Sequence, residues 1–198
     1  VVKGTNVSTD WKGVVVNNFK QKAETPKAIA VMIWYSKDLP YTLENSVKAT
    51  MAGQVLMMEY LKKIREDASA AYTVSAQAGV SRDDFETTSQ MLVYCPMKPE
   101  KADTALMIMA DEVAAIAKTC DPDKLQKVKE YMLKNHGDQL KQNGYWLNMI
   151  SNWRKWGIDF HSDFEQMVNA QTPESIAAFV TEVLKAGNRA DVIMLPAE

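Results

Sequence analysis

The chain is poor in the residues that build a self-contained active site. His136 and His161 are its only histidines. They fall on different predicted helices, and neither has a second histidine at the three- or four-residue spacing that helical zinc sites use. His161 has Glu165 four positions on, and a single His–carboxylate pair reads as a surface contact. Catalytic zinc usually needs three protein ligands, so no metal is expected in this chain. Cys95 and Cys120, the only cysteines, permit one disulfide without requiring it, or serve unpaired as small hydrophobes; the redox compartment stays open. The eight glycines form neither a phosphate-cradling loop nor a dinucleotide fingerprint, and no Gly-x-Ser-x-Gly elbow is present. No apolar run approaches the roughly 20 residues that span a bilayer. A net charge of -2 argues against a generic nucleic-acid or polybasic membrane surface.

What is there is the material for one buried core. Hydrophobic residues make up 46% and charged residues 24% of 198 positions, enough for a single domain of ordinary composition. Residues 1–12 are polar and aperiodic at first and read as a lead-in or linker; residues 13–198 read as one domain. Val14 to about Lys20 predicts a strand, and Ala23-Glu24-Thr25-Pro26 a turn, because proline fixes φ and removes a ladder donor. The unbroken apolar run Ala28 to Tyr35 suits a strand buried on both faces, or one with helices on one side and a partner on the other.

After Ser36–Pro40 a helix of about 25 residues is expected, with Leu43, Val47, Met51, Met58 and Leu61 as its stripe and Gln54 and Val55 filling the gap. Arg65 falls on the same face at the last turn. The bland reading of Arg65 is a helix-end cation with a packed stem and a solvated head. From Tyr72 to Val80 apolar and polar residues alternate with period two, a strand signature. A turn at Ser81–Asp84 and a return strand from Phe85 to Met97 complete a hairpin.

Helices are predicted over Glu100–Lys118, from the Asp121-Pro122 cap to near Gly137, onward to about Trp156, around Ser162–Ala170, and from Thr172-Pro173 to Leu184. Leu140, Leu147, Ile150 and Trp153 are expected in the core, and Trp146, Trp153 and Trp156 read as packing residues. Asp83-Asp84 and Asp111-Glu112 read as turn or solvated-face carboxylates. Ala190 to Leu195 is the final strand. The fold class is therefore α+β: a two-layer sandwich of a mostly antiparallel sheet with helices packed on one face.

Only Arg65 and Tyr72 then stand out as chemistry without an obvious packing role. The series of long helix, Arg65, six residues, Tyr72-Thr73-Val74-Ser75 and hairpin resembles the C-terminal half-domains of pitrilysin/insulysin-type zinc peptidases, which carry the inverted His-x-x-Glu-His motif. The tail, with Gly157, Gln171-Thr172-Pro173-Glu174-Ser175-Ile176 and Val192-Ile193-Met194-Leu195-Pro196, is similar to the family's domain ending. The resemblance covers nearly all of the chain after Val14. It departs in one place: the family often has glycine just before the tyrosine, where this chain has Ala68-Ser69-Ala70-Ala71. Without easy access to φ > 0, a stiffer or differently aimed approach to Tyr72 is expected.

The resemblance implies that Arg65 and Tyr72 hold the substrate backbone and the scissile carbonyl opposite a zinc carried by an N-terminal half. It implies a peptide substrate, no catalytic residue and no cofactor within this chain, and zinc in the N-terminal catalytic domain, on the same protein or a partner subunit. Alone, the chain is expected to be inactive. Its start at Val1 fits a processed protein or a piece of a longer one; the divided site favours the piece. The alternative is a non-catalytic structural or partner-binding module of the same fold. A weaker third reading has Arg65 and Tyr72 merely pinning a helix–strand corner. A cell-envelope location is weakly favoured over the cytoplasm.

Overall fold

A computed structural model describes residues 4–7, 10–22 and 26–197. The turn expected at Ala23–Thr25 lies outside the described residues. Five strands, β1 (Val14–Gln21), β2 (Ala28–Ser36), β3 (Ser75–Arg82), β4 (Thr87–Met97) and β5 (Asn188–Pro196), form one open sheet in the order β1-β5-β2-β4-β3. Only the β1–β5 pairing is parallel; β5–β2, β2–β4 and β4–β3 are antiparallel. Six α-helices accompany it: α1 (Leu43–Tyr60), α2 (Ala102–Lys118), α3 (Pro122–Gln139), α4 (Asn143–Trp156), α5 (Phe164–Ala170) and α6 (Pro173–Lys185). The α+β architecture with a mostly antiparallel sheet is as the sequence predicts.

The core lies between sheet and helices. Along β2 the side chains alternate: Ala28, Ala30, Met32 and Trp34 are buried, while Ile29, Val31 and Ile33 are half-buried on the opposite face. In β4, Met91, Val93, Cys95 and Met97 face the same core. The uniform apolar run of β2 thus reflects one face under helices and another left partly open. Cys95 and Cys120 are both buried free thiols. Burial pushes each thiol up to about 11, with the nearby Asp121 carboxylate adding to the shift at Cys120.

Helix ends follow their sequence signals. The Thr42 hydroxyl accepts the Asn45 N–H at 3.1 Å to start α1. Asp121 accepts from Asp123 and Lys124 at the start of α3, and Pro122 occupies the first turn. Helix α1 lies so close to the sheet that a Cβ on Gly53 would sit 2.6 Å from the Ala78 backbone nitrogen of β3. Glycine is required there by close approach.

Three expectations are corrected. Helix α4 has no buried residue, and Leu147, Ile150 and Trp153 are 67%, 54% and 62% exposed; Trp146 is also exposed and Leu140 only half-buried. Its apolar stripe has the spacing of a core helix, yet Leu147, Ile150 and Trp153 lie open among the described residues, and spacing alone cannot tell the two apart. Glu112, expected on a solvated face, is buried and takes the Lys63 ammonium at 2.7 Å. Gln54 is exposed rather than part of the α1 stripe.

Candidate functional site

Helix α1 does not end as a regular helix. Leu61–Asp67 form a π turn, in which the Ala68 N–H reaches the Lys63 carbonyl at 3.0 Å. The wider turn advances each residue through a smaller angle. Ile64 therefore takes the buried position, and Arg65 swings into solvent. This corrects the sequence placement of Arg65 on the Met51–Met58 face, which presumes unbroken α geometry.

The turn is held against α2. Tyr60, wholly buried, donates its hydroxyl to the Met109 carbonyl at 2.6 Å. Burial first, and the Glu112 carboxylate second, hold that phenol well above its ordinary pKa, so it stays a donor. Lys63 pairs with Glu112 of α2. Two residues just before Arg65 are thus tied to α2 while Arg65 itself is left exposed.

From the π turn the chain reverses through Ser69, whose φ of 48° is left-handed. The Ala70 N–H then closes back on the Ile64 carbonyl at 2.9 Å. Serine adopts there a left-handed conformation that glycine would take freely, at roughly 1–2 kcal/mol. Ala70 and Ala71 are buried, Tyr72 is 85% exposed, and Val74 is buried again. Two small side chains under the turn leave the phenol ring no room inside. Strand β3 begins only at Ser75, so Tyr72 belongs to the approach and not, as the alternation suggests, to the strand.

Arg65 and Tyr72 meet in space. The guanidinium carbon of Arg65 stands 5.4 Å from the Tyr72 ring centroid, within cation–π range. Beside them the Lys98 N–H donates to the Ala70 carbonyl at 2.9 Å, tying the end of β4 to the approach. A cleft of about 550 Å³ runs from Lys27 past Ala71 and Tyr72 to Met97, Lys98 and Glu100. A second depression of about 270 Å³ is bordered by Arg65, Ser69, Ala71, Tyr72 and Lys98. Tyr72, Ala71 and Lys98 border both. Lys27 and Lys98 carry no motif in sequence; only the register that brings the start of β2 against the end of β4 places them here.

A second polar cluster joins residues that no sequence motif links. The Tyr145 hydroxyl lies 3.1 Å from His136 Nε2 and 2.9 Å from His161 Nδ1, and Glu165 contacts His136 Nδ1 at 3.2 Å. Glu165 thus pairs with His136, not with His161 one turn before it. Among the described residues no group of three or more His, Cys, Asp and Glu side chains could hold a metal ion. No described helix is long and apolar enough to cross a membrane.

No family profile matches the chain, and no curated protein sequence does. Solved structures do. The periplasmic protease PqqL from Escherichia coli matches all of this chain with 22% of its own, at a TM-score of 0.79 and 20% identity. The ferredoxin protease FusC, solved in complex with Arabidopsis ferredoxin, matches 95% of this chain with 21% of its own, at 0.76 and 17%. An inactive domain of peptidase family M16 from Pseudomonas fluorescens matches 94% of this chain with 44% of its own, at 0.73 and 14%. At these identities the likeness establishes the fold, which is that of the half-domains of pitrilysin-type peptidases. The chain spans about a fifth of the length of the first two proteins.

Proposed function

We propose that this domain is the non-zinc-binding half of a pitrilysin-type peptidase, forming one wall of the peptide chamber. The observation that carries the reading is the exposed Arg65–Tyr72 pair beside two hollows, on a fold found in such proteases. Among the described residues the donor set does not fit a catalytic zinc. The metal would be held by an N-terminal half, on the same protein or a partner subunit, and would supply the activated water.

The domain's own chemistry is donation. Arg65 presents a planar fork of N–H groups to peptide carbonyls. The Tyr72 hydroxyl donates to the scissile carbonyl oxygen as negative charge grows on it. Stacking of the two side chains limits their wandering, which a donor aimed at a developing charge requires. A peptide or protein substrate is in keeping with FusC, whose structure holds a ferredoxin, and a cell-envelope location with periplasmic PqqL.

The test is made in the complete protein that carries this domain. Tyr72→Phe should lower kcat by about 10²-fold, the scale of a lost oxyanion donor, with KM little changed; Arg65→Ala should chiefly raise KM. Unchanged turnover in both variants overturns the reading. The second reading is a partner-binding module, favoured by the open apolar face of α4. On that reading Trp153→Ser weakens association with the rest of the protein while Arg65→Ala and Tyr72→Phe change nothing.

A further inference from the structure

We infer that the cleft beside Tyr72 is a carboxylate-selecting subsite, in which Lys98, supported by Lys27, receives an acidic side chain or the terminal carboxylate of the bound peptide. This deepens the reading of Arg65 and Tyr72 as peptide contacts and rests on it.

The charge around the two hollows is uneven. Arg65, Lys98 and Lys27 contribute three cations against the single carboxylate of Glu100, on a chain whose overall charge is -2. Among the described residues none of the three cations has an ion-pair partner. By contrast Lys37, Lys48, Lys63 and Lys124 are each neutralised by a carboxylate at close range. Glu100 lies in the short turn leading into α2, and it makes no ion pair with Lys98.

Lys98 is also placed, not merely present. Its N–H is fixed to the Ala70 carbonyl, two residues from Tyr72. Pro99 follows it and confines its backbone to the extended region, where φ is -67° and ψ is 132°. Its Cα is therefore held to the backbone that leads into Tyr72. Lys27 comes from the other wall, at the foot of β2, with its root fixed by the pairing of Ala28 with Met97. The floor between them is apolar, with Ala71 and Met97 buried. A carboxylate entering there lies between two exposed lysines over an apolar floor, where charge pairing is stronger than in open water. A lysine or arginine on the same peptide position meets like charge, so the site rejects as well as selects.

The experiment measures binding, so that it does not depend on turnover. Fluorescein-labelled peptides of one sequence are titrated with the complete protein by anisotropy at low and high salt. They carry Glu, Gln or Lys at a single varied position, scanned along the peptide, and end in a free or an amidated carboxyl terminus. At one position the Glu peptide should bind about fivefold tighter than the Gln peptide, the scale of a partly exposed ion pair, and this ratio should shrink with salt. If the terminal carboxylate is the occupant, the free-acid and amide forms differ instead and the scan is flat. Lys98→Gln should remove the preference and Lys98→Glu invert it toward the Lys peptide; Lys27→Gln should reduce it.

Equal binding of all these peptides by the wild type, or a preference indifferent to Lys98, overturns the inference. If Arg65→Ala and Tyr72→Phe still impair turnover in that event, the reading of the pair stands and only the carboxylate subsite falls. Absence of any peptide binding sinks both.

Discussion

The guanidinium of Arg65 stacks on the ring of Tyr72, 5.4 Å from carbon to ring centroid, although the chain between them turns through a π turn and a left-handed serine. Tyr72→Phe keeps this stack and deletes only the hydroxyl; Tyr72→Leu deletes both. In a double-mutant cycle on stability in urea melts, Arg65→Ala and Tyr72→Leu should couple by about 0.5–1 kcal/mol, the worth of an exposed cation–π pair. In the cycle of Arg65→Ala with Tyr72→Phe, where phenylalanine keeps the stack, the coupling lost with the hydroxyl should be close to zero. Zero coupling in the first cycle would show that the stack does not hold the pair in solution.

Ser69 occupies the left-handed region at φ 48°. Glycine adopts it without a Cβ penalty, so Ser69→Gly should be neutral to stabilising by up to about 1 kcal/mol in urea melts, the unfolded-state entropy of glycine offsetting part of the relief. Ser69→Val should destabilise by more than about 1 kcal/mol, since a β-branched residue tolerates that conformation worst. A stabilising valine would contradict the conformation.

Gly53 is where α1 touches β3, and the first carbon added there meets backbone at 2.6 Å. Backbone cannot rotate aside as a side-chain tip can. Gly53→Ala should lower stability by about 1–3 kcal/mol, the usual range for overpacking, despite alanine's better helix propensity. A rise in urea midpoint would mean that helix and strand stand further apart than this.

Cys95 and Cys120 are buried, with thiols pushed up to about 11 by burial. The thiolate is the reactive form, so at pH 8 both should alkylate slowly in the folded chain and rapidly in guanidinium. Mass spectrometry should count two labels only after unfolding. Fast native labelling of either would refute its burial.

Asp159 accepts from the His161 N–H, the Ser162 N–H and the Ser162 hydroxyl, at 2.7, 3.0 and 2.6 Å. These bonds, the Ser162 hydroxyl foremost, lower its pKa to about 2 from an ordinary 3.8. A carboxylate more acidic in the folded chain stabilises it above the ordinary value, and that contribution is lost as pH falls through the folded one. Wild type should therefore exceed Asp159→Asn in stability at pH 5 to 7, with the gap closing between about pH 4 and pH 2. A gap that stays constant with pH would exclude the carboxylate as its source.

By itself the sequence determined the elements and their layers. Apolar periodicity, the Thr42 and Asp121 caps, and Gly157 at the end of α4 act within a few residues, so the strands and helices fall close to where these local rules place them. Arg65 and Tyr72 were visible as a polar pair in an apolar setting, but not the way they face. That was decided by a π turn, which depends on Tyr60, Lys63 and Ile64 finding partners on α2 and in the core. Whether an apolar stripe is covered is likewise a tertiary matter: α4 has the pattern of a core helix and lies open, while Glu112 has the look of a surface residue and lies buried. Lys27 and Lys98 are ordinary lysines until the β2–β4 register sets them beside Tyr72. Local rules fix what a segment becomes; only long-range pairing, which no window of sequence contains, fixes what it meets.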